Sequence, residues 1–180
     1  SSHEPFDVPY HRLPNKILNA FAYTDAWVGR FIAALKKLPQ WRNTLVIILP
    51  DHLGCYPENI SSTMPQRYHI PMLWLGGAVK RAQVVSQYGS QHDLAATLLG
   101  QLGLPHEPFL FSKDLFDART PHFAFFTSPD IWGMVMAEQQ MVYDNAAQRV
   151  VYRAGSGAAQ PFETSGKAYL QELYNDIAKR

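Results

Sequence analysis

Apolar positions along the chain change period several times, and each change marks an element. From Ile17 onward, Leu18, Phe21, Val28, Phe31, Ile32, Leu35 and Leu38 recur at helical spacing, while Asn15, directly after Pro14, is suited to cap a helix. The pattern predicts an amphipathic helix over residues 15–38. Lys36 and Lys37 complement its C-terminal dipole and Pro39 ends it. The unbroken apolar run Leu45, Val46, Ile47, Ile48, Leu49 then reads as a fully buried strand, and Pro50 stops its pairing immediately before Asp51 and His52. A short turn through Trp41 and Asn43 joins the two into one αβ unit.

Residues 53–68 are rich in Pro, Ser and Asn and have no period, which predicts a loop over the Asp-His pair. Residues 70–75 form a second apolar run, broken by Gly76 and Gly77; Pro71 removes one ladder donor and requires an edge position or a pairing gap. Over residues 90–102, Leu94, Leu98, Leu99 and Leu102 share a helical face, with Ser90 as the candidate cap, Asp93 in the first turn and Gly103 as the C′ residue. Short aromatic or β-branched runs at residues 123–126, 132–136, 141–143 and 149–152, separated by turn residues, predict an antiparallel meander. A small-residue loop over 154–160 leads to a last helix over 165–179, with Tyr169, Leu170, Leu173, Tyr174 and Ile177 as its buried stripe. The expected organisation is an α/β core over residues 1–118, with antiparallel strands and a terminal helix over 119–180 packed on the same domain.

Composition narrows the function classes. A chain of 180 residues, 47% hydrophobic, can bury one sizeable core. A formal net charge of +1 gives no electrostatic case for nucleic acid or an anionic membrane surface. The single cysteine, Cys55, excludes an internal disulfide framework. No apolar stretch approaches the roughly 20 residues that span a bilayer, and the N-terminus lacks a basic-then-apolar signal. The chain is expected to be soluble, and its start at Ser1 without Met predicts a fragment or a processed chain.

Few residues can carry chemistry. Asp51 and His52 place a hard carboxylate oxygen beside an imidazole nitrogen at a strand end, a combination that suits a divalent cation such as zinc or manganese; a loop-capping Asp beside a surface His is the bland alternative. His3, in a proline-rich loop, is either an anion or proton-transfer group or an exposed terminal residue. His69 opens the second strand as a ligand, an orienting residue or a packed ring. Helix capping accounts for His92 and Asp93, and His11, His106 and His122 read as surface or turn residues. Cys55, Tyr56 and Pro57 begin like the Cys-x-Pro-x-Arg pattern whose cysteine becomes a formylglycine nucleophile, but Asn59 stands where Arg is required and the position is wrong, so Cys55 reads as an ordinary thiol. There is no Gly-rich phosphate loop, Gly-x-Ser-x-Gly elbow or Cys-x-x-Cys pair.

Four stretches in order, SSHEPFDVP from Ser1, the helix leading into NTLVIILPDH, RYHIPMLWLGG from Arg67, and SQHDLAATLLGQLGLP from Ser90 followed by FSKDLF, resemble the C-terminal half of the catalytic domain of the alkaline phosphatase superfamily. The resemblance is to its sulfatase-like branch, which contains lipoteichoic acid synthases and phosphoethanolamine transferases, and it covers the chain to about Phe116. It implies the C-terminal half of an alkaline-phosphatase-like sheet flanked by helices, and a divalent-metal site (zinc or manganese, with magnesium or calcium as further candidates) in which Asp51 and His52 are two ligands. It also implies that an acidic ligand and a Thr nucleophile belong upstream of Ser1, leaving the chain catalytically incomplete without its N-terminal half and a membrane anchor. His3 matches the imidazole that contacts the substrate phosphate or its leaving group, and His69 matches a histidine before the following strand with a substrate or outer-shell role. Leu53 departs from the usual Asp-His-Gly and removes the close backbone approach that glycine would allow. The implied parent acts on a phosphate or sulfate ester, which can be lipid-linked, at the periplasmic or extracellular face of a bacterial inner membrane. The activities expected are phosphoglycerol or phosphoethanolamine transfer first, then sulfatase or phosphodiesterase hydrolysis, with a non-catalytic binding or structural domain as the reading from another class.

Overall fold

Residue 38 decides where the first helix stops. In the computed structural model, which describes residues 12–53, 56 and 59–180, helix α1 (Lys16–Leu35) begins as expected: the Asn15 Oδ1 accepts the N–H groups of Ile17 and Leu18 at 2.7 and 3.3 Å. It ends three residues before the expected boundary. Leu38 precedes Pro39 and is extended (φ −82, ψ 141), as the proline ring demands, so the last turn tightens through Leu38 N–H donating to Leu35 C=O. A 3-10 turn over Pro39–Asn43 follows.

Strands β1 (Val46–Ile48) and β2 (Leu73–Leu75) pair antiparallel, with Val46 opposite Leu75 and Ile48 opposite Leu73. The expected fully buried run is corrected here: three residues pair, and each is half-buried. The second strand also starts late, at Leu73, which leaves Pro71 outside the ladder and removes the conflict its missing N–H posed. Gly76 closes this pair at φ +123, where an added Cβ would lie 2.1 Å from the Thr44 carbonyl oxygen, so no larger residue fits.

The remaining elements are helix α2 (Asp93–Gln101), strands β3 (Ala124–Ser128), β4 (Ile131–Val135), β5 (Gln139–Asp144) and β6 (Arg149–Gly155), and helix α3 (Ala159–Lys179). The four strands form an antiparallel meander in sequence order. On one face, Phe123, Phe125, Trp132, Met134, Met141, Tyr143 and Phe162 make a buried aromatic core against α3. On the other, Phe126 lies opposite Gly133, whose missing side chain leaves space for the ring; Tyr68 stacks on Phe126 at 3.8 Å. The expected loop over residues 53–68 therefore has a structured end, a 3-10 turn over Pro65–Tyr68.

Helix α3 starts six residues earlier than expected, since Pro161 sits in its first turn, where an N–H has no helical partner anyway. Its packed stripe runs through Phe162, Gly166, Tyr169, Leu170 and Leu173; Tyr174 and Ile177, expected to be buried, are 59% and 65% exposed. Tyr174 is about 100° around the helix from Leu173, and Ile177 lies a turn beyond the last residue on the cluster.

The chain forms two compact units. One contains α1, β1 and β2, taking in residues up to Asn59 and His69–Val84; the other contains Ile60–Tyr68 and Val85–Arg180. The architecture is mixed α/β. Among the described residues no helix is long and apolar enough to cross a membrane.

Candidate functional site

The strand β1 delivers Asp51 and His52 as a bend three residues past its last ladder pair, with Pro50 between. Asp51 Oδ1 accepts the His52 N–H at 2.9 Å, a local turn that fixes the pair's orientation, and Asp51 Oδ2 lies 3.5 Å from His52 Nε2. The side chains are 78% and 55% exposed, so both donors are accessible. Two donors bound to one zinc at about 2.0–2.2 Å and the tetrahedral angle are roughly 3.4 Å apart. The observed separation fits two ligands of one cation and equally a direct Asp–His ion pair. Oxygen and imidazole nitrogen are also donors that zinc and manganese accept.

His69 is exposed and lies four residues before Leu73. Because β2 is antiparallel to β1 and Leu73 pairs with Ile48, His69 precedes β2 at the ladder end from which Asp51 and His52 emerge. Among the described residues, no three His, Cys, Asp or Glu side chains gather as a metal-ligating group. His3, His11 and Cys55 lie outside the described residues.

A second polar cluster, of which the sequence predicts only helix capping at Ser90, His92 and Asp93, surrounds the start of α2. Half of the capping box forms: the Asp93 carboxylate reaches back to accept the Ser90 N–H at 2.7 Å. The Ser90 hydroxyl does not cap α2. It bridges to β3, accepting the Phe125 N–H at 2.7 Å and donating to its C=O at 3.0 Å. Asp93 is fully buried and also accepts from the Lys113 N–H at 2.8 Å and from the Lys113 ammonium at 2.8 and 2.9 Å. That ammonium lies 4.0 Å from the centre of the Phe123 ring. His92 Nε2 shares a 3.2 Å hydrogen bond with the Tyr169 hydroxyl, tying α2 to α3. Burial lowers the His92 pKa, with Lys113 adding to the effect and Asp93 opposing it, while burial and the Asp93 charge push Tyr169 up to about 12. The Ser90-x-x-Asp93 spacing was the available signal for half of this cluster. Periodicity and capping give no role to Lys113, 20 residues away, although it lies in the FSKDLF stretch that carries the family resemblance.

A family match follows the same stretch of chain: residues 3–104, more than half of the sequence, match the Sulfatase family. The chain belongs to the sulfatase family. This sulfatase-family chain is 35% identical to dog arylsulfatase K over 99 residues, covering 50% of the chain and 18% of that protein. It is 33% identical to phosphoglycerol transferase I of Xanthomonas campestris pv. campestris over 84 residues, covering 46% of the chain and 12% of that protein. The chain thus spans less than a fifth of the length of these relatives. A crystal structure of an alkaline phosphatase superfamily protein from Vibrio parahaemolyticus superposes with a TM-score of 0.73 at 20% identity, over 98% of this chain and 48% of that one. The fold is therefore that of the alkaline phosphatase superfamily, and the likeness extends through the C-terminal meander that the family match does not reach.

Proposed function

We propose that this chain is part of a divalent-metal-dependent enzyme that transfers a phospho- or sulfo-ester group, most closely of the phosphoglycerol transferase type. The observation that carries the reading is the 3.5 Å separation of Asp51 Oδ2 and His52 Nε2 at the end of β1, inside the matched sulfatase stretch. Asp51 and His52 would hold the cation, zinc or manganese before magnesium or calcium. When bound, it supplies charge neutralisation at the ester oxygen and a lower pKa for a coordinated hydroxyl. In this reading His69, exposed at the same ladder end, contacts substrate or orients a ligand. His3 stabilises the transferred group or protonates the leaving oxygen. The nucleophile is a Thr outside this chain, and the complete protein works at the outer face of a bacterial inner membrane on an ester that can be lipid-linked. Hydrolysis of a sulfate ester is the second reading, favoured by the likeness to arylsulfatase K.

The test uses the chain and any longer gene product that contains it. Isothermal titration with manganese and with zinc should show binding that Asp51→Ala and His52→Ala each weaken by at least the roughly 10–100-fold that loss of an outer-shell partner alone brings. Turnover of p-nitrophenyl phosphate, p-nitrophenyl sulfate and a fluorescent phospholipid, with and without chelator, separates transferase from hydrolase. Metal binding unchanged in both variants would overturn the assignment of Asp51 and His52. Absence of metal-dependent turnover by the longer product would favour a non-catalytic domain, the reading that Leu53 in place of glycine supports.

A further inference from the structure

A groove of about 290 Å³ opens on the second unit between α3 and the turn joining β5 to β6. This is just below the size range of small-molecule clefts, roughly 300–1,000 Å³. Trp132 and Tyr143 line it from the sheet. Lys167, Gln171 and Tyr174, at i, i+4 and i+7, line it from the helix. Asn145 and Gln148 come from the turn. Gln148 occupies a left-handed backbone conformation, φ +51, and its side-chain amide donates to the Asn145 carbonyl.

The chemistry of this lining differs from that of Asp51 and His52. The one cation among the described lining residues, Lys167, is already satisfied: its ammonium bonds Glu163 at 2.6 Å and lies 4.2 Å from the centre of the Tyr143 ring. No uncompensated positive charge is left for an anion. What the groove offers is three primary amides beside a Tyr174 ring that is 59% exposed; the Gln148 amide donates one N–H to the Asn145 carbonyl and the Gln171 amide one to Asn175 Oδ1, which leaves each a second N–H and its carbonyl oxygen. Trp132 and Tyr143 form the floor of the groove and are themselves buried, 0% and 3% exposed, so the polar groups within reach of a ligand come from the turn and the helix. Paired donors and acceptors match vicinal hydroxyls, and an amphipathic aromatic ring covers the C–H face of a saturated ring.

We propose that this groove binds a neutral polyhydroxylated ligand, a saccharide of one or two rings. It stands apart from the reading of Asp51 and His52, and either can fail alone. The test is a titration of the 15N-labelled full chain with maltose, cellobiose and N,N′-diacetylchitobiose to tens of millimolar, followed by amide NMR, with sodium sulfate and phosphate as anion probes. At least one sugar should give saturable shifts at the side-chain amides of Asn145, Gln148 and Gln171. Tyr174→Ala and Gln171→Ala, both at exposed positions, should each weaken that binding about fivefold or more without changing Tm. The proposal is overturned if none of the sugars shifts these signals saturably, if both variants bind as wild type, or if sulfate or phosphate binds at the same residues more tightly than the sugars.

Discussion

The two units differ in what holds them. In the unit that carries Asp51 and His52, the buried residues among those described are Asn19 and Ala20 on α1; the strands pair over three residues each, and Trp27, Phe31 and Leu73 are 49%, 59% and 57% exposed. The other unit encloses the aromatic cluster around Trp132 and Met141, both fully buried, and a buried Asp93–Lys113 ion pair. The family match runs over residues 3–104, whereas the aromatic cluster begins at Phe123. Likeness to the sulfatase family is therefore concentrated away from the densest packing. Sequence pattern here follows candidate chemistry, while cooperativity of folding should follow the meander and α3.

The largest expected effect tests that division directly. Asp93 holds Ser90 and Lys113 with its carboxylate, so Asp93→Ala leaves a largely buried ammonium without its partner and should cost about 3–5 kcal/mol. Urea denaturation followed by near-UV circular dichroism measures it. Asp93→Leu combined with Lys113→Met removes both charges and should recover much of the loss. If Asp93→Ala costs under about 1 kcal/mol, the ion pair does not anchor the second unit.

One substitution made in both units should have opposite signs. Gly166 on α3 lies under the Trp132 ring, and an added Cβ would sit 2.1 Å from a ring carbon; Gly166→Ala should destabilise by about 1–3 kcal/mol. Gly29 on α1 has nothing within 4 Å of that position, so Gly29→Ala should stabilise by about 0.4–1 kcal/mol through lower unfolded-state entropy. Thermal unfolding of both variants gives the comparison. Equal signs would mean that α1 packs as tightly as α3.

These contrasts also explain which parts were legible in the sequence. Asn15 capped α1 as read because capping is local, and the meander appeared because its turns and β-branched runs alternate locally. The helix end at Leu35 needed the steric demand of Pro39 on Leu38, and the early start of α3 needed tolerance of Pro161 in a first turn. Ser90 pairs with Phe125, 35 residues on, and Asp93 with Lys113, 20 residues on; no short-range pattern encodes such partners. Asp51 and His52 are legible because the apolar run 45–49 and Pro50 end on them. Their 3.5 Å approach required the turn that the Asp51 carboxylate makes with the His52 N–H.

The smallest effect expected is a pH dependence confined to the second unit. His92 faces Asp93, Lys113 and Tyr169, and burial holds its folded pKa below the ordinary value of 6.5. Above pH 6.5 the imidazole is neutral in both folded and unfolded chains, so its contribution is fully present. As pH falls below 6.5 the unfolded chain takes the proton first, and stability declines until the lowered folded pKa is reached, then levels off. The His92 side chain is 41% exposed, so solvent screening keeps the change well below that of Asp93→Ala. Tyr169 sets the opposite limit: with a folded value of about 12 against an unfolded value near 10, its contribution is lost as pH rises from 10 through 12. Urea midpoints at pH 7.5, 6.5, 5.5 and 5.0 should decline more steeply in wild type than in His92→Gln. Parallel slopes would show that protonation of His92 is not coupled to the packing of α2 and α3.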